Sequence, residues 1–257
     1  MKIYKLFCVV FISLLVIVAC TTAPEPTPTP EPPPPPTPTV PPPPTEQPTP
    51  EPTATPVGQI FRDDFIADLK PDWIWINEIP DRHSLSNKGL RIVADDTCLL
   101  GDRYQSNLLM YTAPEGISFE VETKITADTT RNFQQASLYL FEDTQNYYSV
   151  NRGFCDLCVL NGDGIYSDYM YRDEINFGFK GRAIDTDTIY LKLEVNREDN
   201  WLINYYATEP GEWIQLRKVP ILINIQQVGV GAANCEQEPS DEDLLAFFDY
   251  FEIRELP

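Results

Sequence analysis

Residues 133–152 read FQQASLYLFEDTQNYYSVNR. An apolar run from Ala136 to Phe141 precedes a polar turn from Glu142 to Asn146, and a second strand-like run extends from Tyr147 to Val150. Two β-compatible runs around a short segment of Asp, Thr, Gln and Asn are typical of a β-hairpin. We expect this hairpin to lie at the centre of one sheet of a sandwich.

Other stretches alternate between apolar and polar residues as half-buried strands do. Residues 117–125, ISFEVETKI, place Phe119, Val121 and Ile125 on one face, and residues 189–197, IYLKLEVNR, repeat the pattern. Further short strands are predicted over residues 59–65, 73–77, 89–94, 107–111, 201–207, 213–219, 227–232 and 247–254. No long stretch has a period of 3.6 residues, so the pattern predicts an all-β sandwich or barrel.

Composition divides the chain of 257 residues into a tail and one domain. Eighteen of its 25 prolines lie between Pro24 and Pro56, which leaves residues 58–257 as a domain of ordinary size for an all-β fold. The formal net charge is −20, and most of it lies in this domain. Such a surface repels phosphate backbones, so the composition excludes nucleic-acid binding.

The first 20 residues form a charged and then apolar leader that ends in Ile17-Val18-Ala19-Cys20. This ending resembles the lipobox of bacterial lipoproteins, in which the leader is removed and the cysteine carries a diacylglycerol. The resemblance implies that Cys20 is lipidated and anchors the chain to the outer face of the cell membrane. An ordinary signal peptide or a spanning helix is the alternative, but the apolar run is short for a span.

Residues 21–57 are rich in Pro, Thr and Glu and contain almost no large apolar side chain. Such a segment cannot bury a core, so we expect a disordered or polyproline II tether. At about 3.1 Å per residue it reaches on the order of 100 Å. A proline-rich ligand for a partner module is the alternative, but such ligands are short.

The order of motifs along the domain is similar to that of a known family. DDF, WIW, LRI and FEVETK are followed by QQASLYLFEDTQNYY, YLKLEVN and finally FDYFEIRE. This order resembles the concanavalin A-like lectin/glucanase jelly roll over about residues 60–255, and most of all the C-terminal domain of family-forty-three β-xylosidases. The resemblance implies two antiparallel sheets whose first and last strands pair near one edge.

Two features depart from the family pattern. The catalytic propeller domain that precedes this module in the xylosidases has no counterpart in the sequence. Residues 153–180 also form a longer connection than the family's usual one, and Tyr166, Tyr169 and Tyr171 lie within it.

A structural calcium ion is one expectation. By parity Asp249 falls on the same side as Phe247 and Phe251, and a core-facing carboxylate must be paired, hydrogen-bonded or metal-bound. Related jelly rolls hold calcium between their terminal strands, so the resemblance implies a site at Asp64 and Asp249, with oxygen ligands that suit calcium. The alternatives are that Asp249 accepts backbone N–H bonds, or that a bulge exposes it.

Four cysteines of the domain suggest two disulfides in an exported chain. Of the three connectivities we favour Cys155–Cys158 together with Cys98–Cys235. A four-cysteine zinc site is the alternative, but it needs reduced thiols outside the cell.

Sugar binding needs exposed aromatic rings and polar groups on a rigid scaffold. The candidate ligand-binding residues are Trp75, Tyr148, Arg152, Tyr169, Tyr171 and Trp213. The alternative for each aromatic residue is a place in the core.

Catalysis is poorly supported by the sequence. Laminarinase-like relatives carry Glu-x-Asp-x-x-Glu on one strand, and retaining hydrolysis needs two nearby carboxyls. Here Glu120 and Glu122 share a face, but Lys124 follows them and the third carboxylate is missing.

We therefore expect a lipid-anchored surface protein whose jelly roll binds a polysaccharide or cell-wall glycan without cleaving it. A structural or protein-interaction lipoprotein is the second reading, and a glycoside hydrolase is a remote third.

Overall fold

The computed structural model describes residues 58–94, 96–99, 105–235 and 243–257, which form sixteen β-strands and a 3-10 turn at Pro80–Arg82. The strands are β1 (Gln59–Asp63), β2 (Ile74–Ile76), β3 (His83–Ser86), β4 (Gly89–Ala94), β5 (Leu108–Thr112), β6 (Phe119–Ala127), β7 (Gln134–Asp143), β8 (Asn146–Phe154), β9 (Asp163–Tyr171), β10 (Glu174–Ile175), β11 (Lys180–Ala183), β12 (Thr188–Asn196), β13 (Trp201–Ala207), β14 (Ile214–Pro220), β15 (Gln227–Asn234) and β16 (Leu244–Glu255). No helix in this part of the chain is long and apolar enough to cross a membrane. The predicted leader, Cys20 and the tether lie outside the described residues.

The first sheet has the strand order β14-β13-β12-β6-β16-β4-β3, and β1 also pairs with β16. β16 pairs with β6 along one side. On its other side, residues 244–248 pair with β4 and residues 251–254 pair with β1. The first and last strands are therefore neighbours, as the family resemblance implies.

The second sheet has the order β10-β9-β8-β7-β15-β5-β2, and β11 also pairs with β9. The hairpin predicted from residues 133–152 is β7 and β8, and it lies in the middle of this sheet. Its turn is closed by Asp143, whose Oδ1 accepts hydrogen bonds from the backbone N of Gln145 at 2.8 Å and from Nδ2 of Asn146 at 2.9 Å. The predicted hairpin and its central position are confirmed.

The core lies between the two sheets. Phe119, Val121 and Ile125 of β6 are buried against Leu138 and Leu140 of β7, so the inward faces predicted by alternation are the observed ones. The structure is an all-β, two-sheet antiparallel jelly-roll sandwich, as predicted.

Residues 153–180 differ from the expected long loop. Most of them form β9, β10 and a turn, and β9 pairs with β8 along its whole length. Side chains on both faces of β9 are mostly buried, so its sequence DGIYSDYMY lacks the alternation of a strand with one solvent-exposed face. The polar residues Ser167 and Asp168 interrupt its apolar run and conceal the strand from sequence analysis.

A bulge in β16 decides where Asp249 points. The register with β6 shifts between Phe248 and Tyr250, so the buried residues are Phe248 before the bulge and Phe251 after it. An extra residue reverses the side on which the following side chains lie. Asp249 is therefore not on the core side, and the alternative of an exposing bulge is the observed one.

Asp63, at the end of β1, organises the loop that follows. Its side chain is buried and accepts three hydrogen bonds, from the backbone N of Phe65 at 2.9 Å, the backbone N of Lys70 at 2.9 Å and Nε1 of Trp73 at 2.8 Å. Phe65 has a positive φ of 53°, which is unfavourable for a bulky side chain. The carboxylate offsets that strain and sets Phe65 and Trp73 against the core.

We expect Asp63→Ala to lower the free energy of unfolding by roughly 3 kcal/mol, because three donors lose a charged acceptor in a buried place. Asp64→Ala is the matched control and costs less than about 1 kcal/mol, because Asp64 is exposed and its ion-pair partner among the described residues is Arg62. Urea unfolding followed by tryptophan fluorescence measures both. Equal losses for the two variants contradict the assignment.

Candidate functional site

Short side chains on the outer face of the second sheet leave space above its strands. Strand alternation places Ser137, Ser149 and Asn151 on this face, where longer residues would fill the space above the strands. On the side toward β15, Gln105 covers the face, since its Nε2 donates to the backbone O of Ala232 at 3.2 Å. The part above β8 and β9 stays open.

A pocket of about 330 Å³ occupies this open part. The sheet supplies its floor, and segments that flank the sheet supply its walls. The floor residues are Gln135, Tyr147, Tyr166, Asp168 and Met170, and the wall residues are Cys98, Leu99, Phe133, Cys158, Ile175, Phe179 and Cys235. Aromatic and apolar groups dominate, with a few polar groups among them, which is the usual make-up of a small-molecule site.

Asp168 is the carboxylate among the described residues that line the pocket. Its Oδ2 accepts a hydrogen bond from Nδ2 of Asn151 at 2.8 Å. Burial raises the pKa of Asp168 to about 6, and this effect outweighs the bond from Asn151 and the attraction of Arg217. The carboxylate is therefore charged at neutral pH at an energetic cost.

Other polar groups beneath the pocket lack partners. Oγ of Ser149, directly across the strand pair from Asp168, and Oδ1 of Asn151 are buried with no hydrogen-bond partner among the described residues. Gln135 is better satisfied, since its Oε1 accepts a bond from the hydroxyl of Tyr166 at 2.5 Å. Buried polar atoms without partners are typically satisfied by ordered water or a bound ligand.

Residues 62–254 match the family model described as the beta xylosidase C-terminal concanavalin A-like domain. The chain belongs to this family. No curated protein matches the chain.

Solved structures with the same fold include GH43 proteins. The GH43 BlXynB protein from Bacillus licheniformis superimposes with a TM-score of 0.63 and 19% identity over 76% of this chain and 39% of that chain. Xylan beta-1,4-xylosidase from Bacillus halodurans gives 0.62 and 20% identity over the same shares. A functionally unknown protein from Saccharomyces cerevisiae gives 0.53 and 12% identity over 72% of this chain and 97% of that chain. These likenesses show the fold, and the chain spans 39% of the length of each of these two bacterial proteins.

Three of the predicted ligand-binding residues lie inside the sandwich. Tyr148 and Tyr169 are fully buried in the core between the sheets. Arg152 is also fully buried, where it pairs with Asp163 and donates to Oγ1 of Thr129 at 3.0 Å. None of the three presents a surface to a sugar, and we remove them from the candidate site.

The other three predicted residues are more accessible but lie apart in the fold. Trp75 of β2 stacks on His83 with ring centroids 4.1 Å apart. Tyr171 ends β9 under the guanidinium of Arg172, and Trp213 precedes β14 in the other sheet. They form no common platform, so the pocket above β8 and β9 replaces them as the candidate site.

The pocket residues were missed because they come from distant parts of the sequence. A signal for them did exist, since Ser137 and Ser149 interrupt otherwise apolar runs in a predicted central hairpin. Small polar residues at the centre of a sheet indicate a surface that something else covers or occupies.

Glu120 and Glu122 lie on the outer face of the first sheet, where basic and phenolic side chains pair with them. Lys192 Nζ lies 3.0 Å from Glu120 Oε2, and Arg254 bridges toward both glutamates at 3.5 and 3.6 Å. The hydroxyl of Tyr250 donates to Glu122. The arrangement resembles an ion-pair network rather than an acid and a nucleophile facing a cleft.

Asp64 and Asp249 line one shallow depression, but their partners are cations of the protein itself. Arg62 binds Asp64 at 2.6 Å, and Lys124 binds Asp249. No group of three or more acidic, His or Cys side chains suited to a metal occurs in the described ranges. This donor set does not fit a calcium ion, which takes six to eight oxygen ligands.

Cys155 and Cys158 form a disulfide, as predicted, which rules out a zinc site that uses all four cysteines as thiolates. Cys98 and Cys235 both line the pocket, on walls that Cys158 also borders. Their predicted disulfide stays a prediction.

The protein's melting temperature should be the same in excess calcium and in excess chelator. The reason is that Arg62 and Lys124 already neutralise the two carboxylates in the depression. Scanning calorimetry of the two samples at equal ionic strength measures this. A melting temperature several degrees higher with calcium would reverse the conclusion about the donor set.

We expect Asp168→Asn to stabilise the protein at pH 7. Because the pKa of Asp168 is about 6 in the folded protein and its ordinary value is 3.8, folding favours the protonated form. The carboxylate therefore lowers the free energy of unfolding as pH rises from about 4 to about 6, by at most about 3 kcal/mol.

Denaturant unfolding at pH 7 and at pH 4 tests this, with the exposed Asp128→Asn as control. The stabilisation by Asp168→Asn should be present at pH 7 and largely absent at pH 4. If Asp168→Asn raises the free energy of unfolding equally at both pH values, or if Asp128→Asn raises it too, the raised pKa of Asp168 is contradicted.

Proposed function

We propose that this protein is a surface lipoprotein whose jelly roll binds a glycan without cleaving it. The pocket on the outer face of the second sheet is the observation that carries the proposal. Phe179 is 41% exposed and offers aromatic surface to the C–H face of a sugar, while Asp168 and Gln135 offer acceptors and donors to its hydroxyls. Membership of a xylosidase-associated family is consistent with a polysaccharide partner.

The N-terminal sequence supports the anchored part of the proposal. Lipidation at Cys20 holds the chain on the membrane, and the proline-rich residues 21–57 carry the domain up to about 100 Å away from it. Such reach suits a binding module that captures polymer in the cell wall or outside the cell.

Binding without hydrolysis is favoured by the chemistry of the pocket. Glycoside hydrolysis commonly uses two carboxyls on either side of the scissile bond. Among the described residues that line the pocket, Asp168 alone has a carboxylate. The pair Glu120 and Glu122 lies on the opposite sheet within its ion-pair network.

One observation favours a second function, that of a protein-interaction module. Leu157 and Leu160 are 74% and 80% exposed, and they lie on and beside the turn closed by the Cys155–Cys158 disulfide. Two exposed leucines on a disulfide-closed turn suit a protein contact, although their combined area is small for a stable interface.

Retention on a panel of immobilised plant, microbial and wall polysaccharides, using the purified full-length protein in detergent, tests the proposal. We expect at least one polymer to retain the protein, and Phe179→Ala to weaken that binding roughly five- to tenfold through lost aromatic contact. Trp213→Ala is the matched control on the other sheet and should bind as the parent does.

If Trp213→Ala loses binding and Phe179→Ala binds as the parent does, the binding site lies on the first sheet. Retention by no polymer at all would overturn the glycan proposal in favour of the interaction module.

A further inference from the structure

We infer that the pocket prefers a sugar that carries an ammonium group, such as a hexosamine with a free amine, over neutral and acidic sugars. The inference rests on the proposed glycan-binding function and names the class of glycan. Its basis is the enclosed, poorly compensated carboxylate of Asp168 at the floor of the pocket.

The carboxylate of Asp168 has capacity for further donors. A carboxylate accepts about four hydrogen bonds, and within the described residues Asn151 supplies one. No Lys, Arg or His of the described ranges lies within ion-pair distance of it, and Asp168 is absent from every ion pair of the structure in those ranges. A ligand ammonium would supply a positive charge to pair with Asp168 and up to three hydrogen-bond donors.

The groups around Asp168 do not neutralise it. Tyr147 and Tyr166 face it from β8 and β9, and burial raises the pKa of both phenols, so they stay uncharged. Tyr139 of β7 behaves in the same way, and the sulfurs of Cys98 and Cys235 border the same pocket. Arg217 of β14 is the cation that attracts Asp168, but its Nη1 donates to the backbone O of Gly178 at 2.8 Å.

The polar floor favours a sugar over a bare amine or a metal ion. Gln135 and Asp168 place polar atoms on the floor of the pocket, where ligand hydroxyls can bind them. Beneath the floor, Ser149 and Asn151 hold buried oxygens without partners among the described residues, and ordered water would satisfy these atoms. The aromatic walls suit the C–H face of a ring. A metal ion would find a single carboxylate in a largely apolar lining, which does not suit it.

The charge of the whole protein acts in the same direction. A net charge of −20 concentrates cations at its surface and repels uronic acids and other anionic sugars. The local carboxylate and the long-range field therefore select the same ligand charge.

Titration calorimetry of the full-length protein at pH 7 compares glucosamine, glucose, N-acetylglucosamine, glucuronate and cyclohexylamine. We expect glucosamine to bind roughly tenfold or more tightly than glucose and N-acetylglucosamine, because a charged hydrogen bond replaces a neutral one. Glucuronate should bind most weakly. At pH 5 the preference should shrink, because Asp168 becomes protonated while the sugar amine keeps its charge.

The Asp168→Asn variant should lose the preference for glucosamine and keep the affinity for glucose. Asp173→Asn is the control, since Asp173 is exposed and has a positive φ of 62° that Asn tolerates. It should leave the preference unchanged.

Each outcome separates the inference from the function on which it rests. Equal binding of glucose and glucosamine overturns the amine preference and leaves glycan binding intact. Binding of cyclohexylamine with no binding of any sugar overturns the glycan function and supports the role of Asp168 as a cation acceptor. No binding of any of the five compounds overturns both.

Discussion

The sandwich depends on the pairing of its last strand. β16 is twelve residues long and joins β6 on one side to β4 and then β1 on the other, so the two ends of the domain and the middle of the first sheet meet on it. The bulge at Asp249 lets one strand serve all three partners while it keeps Phe248 and Phe251 in the core. Asp63 then fixes the chain where it leaves β1, so that Trp73 packs against Phe251.

Burial disfavours the charge of a carboxylate on the outer face of each sheet, Glu122 on the first and Asp168 on the second, but the two sheets compensate it to different extents. Glutamates on the outer face of the first sheet are matched by Lys192, Arg254 and Tyr250. On the outer face of the second sheet, Asp168 is left with one amide donor, in a place where burial disfavours its charge. Proteins commonly retain such unfavourable groups at sites where a ligand completes them, since stability and binding then compete for the same atoms.

The sequence predicts strands and their buried residues correctly where one face of the strand packs in the core and the other is exposed to solvent. Alternation in β6 and β12 predicts their buried residues, and the order of motifs predicts the family. Prediction failed in β9, whose side chains are mostly buried on both faces and lack that alternation, and at Asp249, where a bulge reverses parity. Sequence reasoning did not assemble the pocket, because Asp168 and Phe179 meet residues such as Cys98 through the register of β8 and β9 and through segments distant in the sequence.

The margins of the two sheets determine how easily a neighbouring molecule can pair with them. The first sheet ends at β14, which carries Lys218 and finishes at Pro220, and its other margin is the four-residue β3. The second sheet ends in the two-residue β10 and the three-residue β2. Short, charged or proline-bearing margins give a neighbouring copy little backbone to pair with. For the lipid-anchored protein proposed above, such margins would limit strand-to-strand aggregation between neighbouring copies at high local concentration.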